Sequence, residues 1–236
     1  MGTSSDYTGG TGGNWTSYKH ATSNFARHGG TRRAEKVLAR YVRALGGAGA
    51  AASSGRAAGV GAGQALADFG AGVVRDGLTE TLQRLGLGHL VGQDRYEVLD
   101  GLIETLGGDG GSLEDQAVQA ALIEAFRELY PEDAQTYNEL ETVELSRDDL
   151  VRLIERFVAQ WAYARLLPSL AEKLTHIEDP GIQQQRYEEL RERLYALVRL
   201  EIGERDALAI DWRGNEGQTI LNTVVDQVYE DMENLE

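Results

Sequence analysis

Cysteine is absent from the chain, so a disulfide framework, a thiolate metal site and a cysteine nucleophile are all excluded. That absence agrees with a reducing compartment. Histidine is scarce: His20, His28, His89 and His176 are the four, and none stands three or four residues from another. HExxH is missing, so no metal-ligand set is expected. No GxGxxG follows a strand, and the GxxxxGK[ST] and GxSxG patterns do not occur. With no nucleophile–base pair to nominate, no catalytic residue is expected and the chain does not read as an enzyme. No apolar run reaches the eighteen or so residues of a membrane span. No charged n-region leads into an apolar h-region. The expected address is the cytoplasm, without stable membrane association. Only three prolines occur, at 131, 168 and 180.

What is present is a helical protein. Of the 236 residues 42% are hydrophobic, enough for a core. The net charge of −15 hides an asymmetry: residues 1–75 carry nine Lys and Arg against three Asp and Glu, and the rest is strongly acidic. Direct nucleic acid binding by the whole chain is disfavoured by that sign. Only Arg27, Arg32, Arg33, Lys36, Arg40 and Arg43 could supply a phosphate-binding stripe.

Glycine divides the chain. Twenty-five of the 29 glycines precede Ser112, and Gly107-Gly108-Asp109-Gly110-Gly111 is a strong loop signal. Before it the pattern predicts helices over about 31–45, 55–75, 78–86 and 95–106. After it, Ser112 ahead of Glu114 and Asp115 caps a helix running to about Tyr130, before Pro131. Ser146 with Asp148 and Asp149 caps the next, whose Leu150, Ile154, Phe157 and Trp161 share one face. Pro168 should kink or end that helix, and Pro180 suits a first turn. Tyr187, Leu190, Leu194 and Leu197 form a further face, and Leu221, Val225, Val228, Met232 and Leu235 another. Glu139–Leu145 is the nearest thing to a strand, and it is short. The segment 211–217 reads as a polar turn packed by its own Trp212. The expected architecture is all-α, a bundle of about seven to eight helices behind a flexible tail over 1–30. The segment 31–106 and the acidic 112–236 are expected to pack as one domain.

Within 55–75, Gly55, Gly59 and Gly63 make a GxxxGxxxG pattern, which lets a second backbone approach closely. In a membrane this spacing drives helix association, but Arg56, Gln64 and Asp68 interrupt the segment. Close packing in a bundle is the plainer reading; a triggered membrane-active effector and self-association are the alternatives.

The first thirty residues hold much Gly, Ser and Thr and few large apolar groups, the composition of a chain that cannot offset its ordering entropy. Gly2 follows the initiator methionine, whose removal leaves a free glycine amine on a reachable arm. Asp6 stands where N-myristoylation wants Ser or Thr. An α-amine has a pKa near 7.7–8 against about 10.4 for lysine, so far more of it is nucleophilic near neutral pH. Glycine adds no side chain to obstruct an electrophile.

The opening Met1-Gly2-Thr3-Ser4-Ser5, with Tyr7 and the Gly9-Gly10 and Gly12-Gly13 pairs, resembles the N-terminus of QatB proteins of the Qat anti-phage defence system. The resemblance implies the company of a QueC-like enzyme, a P-loop ATPase and a TatD-like nuclease. In the pathway QueC serves, a carboxylated 7-deazaguanine is activated by ATP and attacked by ammonia. A QueC-like partner could instead attach the deazaguanine covalently to Gly2, reading Thr3, Ser4 and Ser5 as its recognition sequence. No other cofactor is expected. The helical body would dock partner proteins, and an adaptor needing no modification is the remaining alternative.

Overall fold

The computed structural model describes residues 12–108, 110–200 and 206–235. Among the described residues there are eleven α-helices, a single 3-10 turn at Gly88–Leu90 and no strand. The all-α expectation holds, and the helix count exceeds the expected seven to eight. The additional elements come from α1 (Gly13–His28), α3 (Ala48–Ser53) and α8 (Tyr137–Glu141). The chain divides into two compact units, each assembled from separated stretches.

The first unit spans residues 1–54, 162–198 and 225–236. Its described helices are α1, α2 (Thr31–Ala44), α3 and α10 (Pro180–Leu197), with residues 162–174 of α9 (Arg147–Leu174) and residues 225–233 of α11 (Asn215–Glu233). Of the flexible tail expected over 1–30, residues 1–11 lie outside the described residues, whereas α1 occupies Gly13–His28. Tyr18, Ala21, Thr22 and Phe25 are buried at helical spacing along α1, and that face packs on α2. Burial of this one stripe outweighs the poor average hydrophobicity of the segment. At the junction with α2, Gly29 (φ 57°) lies against the Arg186 guanidinium, where a Cβ would come within 2.3 Å of it. Arg186 in turn pairs with Glu189 at 3.0 Å and lies 5.9 Å over the Phe25 ring. The Gly30 amide donates to Glu189 at 2.7 Å.

The second unit spans 55–161 and 199–224. It holds α4 (Arg56–Asp76), α5 (Leu78–Arg84), α6 (Arg95–Gly107), α7 (Leu113–Leu129), α8 and the remaining parts of α9 and α11. The caps form as expected. Ser112 and Asp115 make a reciprocal capping box at α7, Ser146 Oγ accepts from the Asp149 amide at 3.2 Å, and Asp179 caps α10 ahead of Pro180 in its first turn. The Trp212 turn is held from within: its indole is buried and donates to the Ala207 carbonyl at 2.9 Å, and Gln64 Nε2 donates to the Trp212 carbonyl at 2.8 Å.

Three further segments bear on the sequence reading. The segment 139–145, too short to read as a strand, is α8 over its first part, where Thr136 and Glu139 form a capping box. Of the kink or end expected at Pro168, the end does not occur: α9 runs on to Leu174, with Ser169 Oγ bonding back to the Leu166 carbonyl at 2.8 Å. The glycine loop at 107–111 is not a boundary between the units, since the helices on either side of it, α6 and α7, pack together within one of them.

Candidate functional site

Gly2, Thr3, Ser4 and Ser5, the expected acceptor and recognition residues, lie outside the described residues. Beside the start of α1 lies a cleft of about 190 Å³. Trp15, Tyr18 and Pro168 contribute its apolar walls, and Lys19, Ser169, Glu172 and Lys173 add polar groups. Trp15 meets Tyr18 edge-on with ring centres 5.7 Å apart, and Tyr18 lies 5.7 Å from Tyr41 behind it. These contacts hold the aromatic wall in one orientation.

The hydrogen bonding below the wall has a definite direction. Ser169 Oγ donates its single proton to the Leu166 carbonyl, so at 2.7 Å the Tyr18 hydroxyl is the donor to Ser169 Oγ. Burial pushes the Tyr18 pKa up to about 12, which keeps it a neutral donor. Glu172 is the cleft's carboxylate. Its hydrogen bond from Lys173, 2.9 Å long, holds its pKa below the ordinary carboxylate value despite some desolvation, and the charge of Lys19 acts in the same direction. At neutral pH it is an ionised acceptor flanked by cations. The sequence reading missed this cleft because it assigned Trp15 and Tyr18 to a tail. The signal that could have found it is the Tyr18, Ala21, Thr22, Phe25 spacing.

The glycines of the GxxxGxxxG pattern separate by role. Gly55 (φ 68°) precedes α4 in a left-handed conformation, and a Cβ there would meet the Glu114 carboxylate at 2.1 Å. Gly59 faces Trp161, whose ring a Cβ would approach to 2.5 Å. Gly63 faces Leu221 and Phe157 at 3.2 and 3.3 Å, and Gly70 faces Leu150 at 2.8 Å. The missing side chains therefore admit the Leu150–Phe157–Trp161 face of α9. Among the described residues no helix is long and apolar enough to cross a membrane.

Elsewhere, perturbed acidities have structural causes. Hydrogen bonds from Thr136 lower Glu139, and those from Ser146 lower Asp149 to about 2; burial raises Tyr130 and Tyr163. No group of His, Asp and Glu among the described residues could hold a metal ion. Of the front-segment cations, Arg33 donates to the Gly29 carbonyl and Arg43 to the Glu233 carbonyl. A second cleft, of about 470 Å³, lies in the second unit along α6 and α7. Tyr96, 66% exposed, and Ile123, 41% exposed, line it with Leu99 and Ile103.

Comparison with known proteins yields one family: the model of QatB, the Qat anti-phage system associated protein QatB, matches residues 46–232. That match starts beyond α2 and covers α3 to the last turn of α11. No curated protein and no solved structure matches the chain.

Proposed function

Because this chain belongs to the QatB family of Qat anti-phage system associated proteins, we propose that it is the acceptor component of that system, modified on its own N-terminus. Removal of Met1 frees the Gly2 amine. A QueC-like partner activates a carboxylated 7-deazaguanine with ATP, and the amine adds to the activated acyl carbon. The activating group leaves with the C–O electron pair, the nitrogen loses a proton, and an amide bond remains. Thr3, Ser4 and Ser5 are the residues the modifying enzyme reads. In this reading the chain supplies no catalytic group of its own, and its work is done in the cytoplasm.

The observation that carries the reading is the joining of a Gly2-led N-terminus to a body of this family. The helical body serves as the docking scaffold for the modifying enzyme, with a P-loop ATPase and a TatD-like nuclease as further partners. Its apolar groups support that role: exposed Tyr96 and half-buried Leu99 and Ile103 recur at helical spacing on α6 beside exposed Ile123 of α7, the pattern of anchors that receive a partner helix. The membrane-effector alternative needs an unoccupied glycine face, whereas Gly59 and Gly63 lie against Trp161, Phe157 and Leu221.

Reconstitution tests the proposal. The purified chain, incubated with the system's QueC-like enzyme, ATP and the carboxylated deazaguanine, should gain the mass of one base less water on its N-terminal peptide. A variant retaining Met1 should gain nothing. An unmodified glycine terminus after complete ATP turnover would overturn the acceptor role and leave an adaptor.

A further inference from the structure

We infer that the cleft at the start of α1 receives the base carried on Gly2, so that the modified N-terminus docks on its own protein. The inference rests on the acceptor reading above and adds where the attached group goes.

Size comes first. At about 190 Å³ the cleft is smaller than the ~300–1,000 Å³ sites that hold drug-sized ligands. One bicyclic ring system matches that scale, and a whole nucleotide does not. The walls suit a flat heterocycle: Trp15 lies at the cleft with its ring braced by Tyr18, and Pro168 contributes a further apolar surface. A base stacks on an aromatic side chain through its π-face, whatever its edge pattern.

The polar groups match one edge of the base. A guanine-type ring presents a ring N–H and an exocyclic amine side by side, both donors, next to a carbonyl acceptor. Glu172 offers two carboxylate oxygens for the paired donors, and Lys19 and Lys173 offer ammonium donors for the carbonyl. An adenine-type ring inverts this pattern and leaves the carboxylate facing an acceptor.

Reach and tether complete the argument. Eleven residue steps separate Gly2 from Gly13, the first residue of α1, a span of up to about 40 Å at ~3.3–3.6 Å per residue. Joining a ligand covalently to the chain that binds it gives an effective concentration on the order of 1 mM when the linking segment is short. The docked state is therefore the major one if the free base binds with a Kd below about 1 mM.

The test uses the unconjugated full-length chain and the free base 7-carboxamido-7-deazaguanine, whose amide imitates the linkage to Gly2. The three tryptophan indole N–H signals are followed by NMR during titration, and the Trp15→Phe variant assigns Trp15 by its missing signal. The expected result is a saturable shift of the Trp15 signal with a Kd below about 1 mM. Glu172→Gln, a surface change that leaves the aromatic wall in place, should weaken it at least tenfold, and 7-deazaadenine should cause no shift. A flat Trp15 signal, a Kd well above 1 mM, or equal binding by Glu172→Gln would overturn the proposal. The probe is added free, so the measurement does not depend on whether Gly2 is ever conjugated; failure of the acceptor reading would show in the reconstitution alone.

Discussion

Gly59 and Gly61 stand two residues apart in α4 and meet opposite surroundings. A Cβ at Gly61 has nothing within 4 Å, whereas one at Gly59 would press to 2.5 Å on the buried Trp161 ring. Alanine in a helix interior gains about 0.5–1 kcal/mol over glycine, and overpacking a tight core costs about 1–3 kcal/mol. Gly61→Ala should therefore raise the urea midpoint and Gly59→Ala should lower it. Equal effects would contradict the packing described. A second residue-level expectation concerns Asp149, whose pKa is lowered from 3.8 to about 2 by hydrogen bonds from Ser146 and Arg152. The folded state prefers the ionised form, so this contribution is present above about pH 4 and is lost as the pH falls toward 2. Urea midpoints measured across that interval should fall less steeply for Asp149→Asn than for the parent.

At the scale of elements, α1 separates this account from a reading by composition. Phe25 is fully buried within the first unit. Phe25→Ala should cost about 3–5 kcal/mol, measured by chemical denaturation, where a residue in a flexible tail would change stability by less than about 0.5 kcal/mol. Helices with strong local signals were legible in the sequence. Ser112, Ser146 and Pro180 mark starts that the structure keeps, because capping chemistry acts within one turn. Elements that depend on tertiary packing were not. The Gly, Ser and Thr of α1 dilute its average hydrophobicity, and only the four-residue stripe from Tyr18 to Phe25 carries the helix. Pro168 shows the same limit: the local rule allows a kink or an end, and only the length of α9, which runs on to Leu174, removes the end.

For the whole molecule, the division into units was not legible, because each unit is assembled from stretches far apart in sequence. The glycine loop after α6 has every local mark of a domain linker, yet it joins two helices that pack together. The candidate site was legible only in part: Gly2 follows from the order of the first residues, but the cleft at Trp15 and Glu172 requires α1 and α9 to meet. The family match over 46–232 places the body in an anti-phage system, while the chemistry proposed for it resides in the segment before the match. The most direct measurement is therefore the intact and N-terminal peptide mass of the protein purified from its native host with the neighbouring genes expressed. The account predicts a methionine-free Gly2 bearing one 7-deazaguanine through an amide. A plain glycine terminus under those conditions would contradict it.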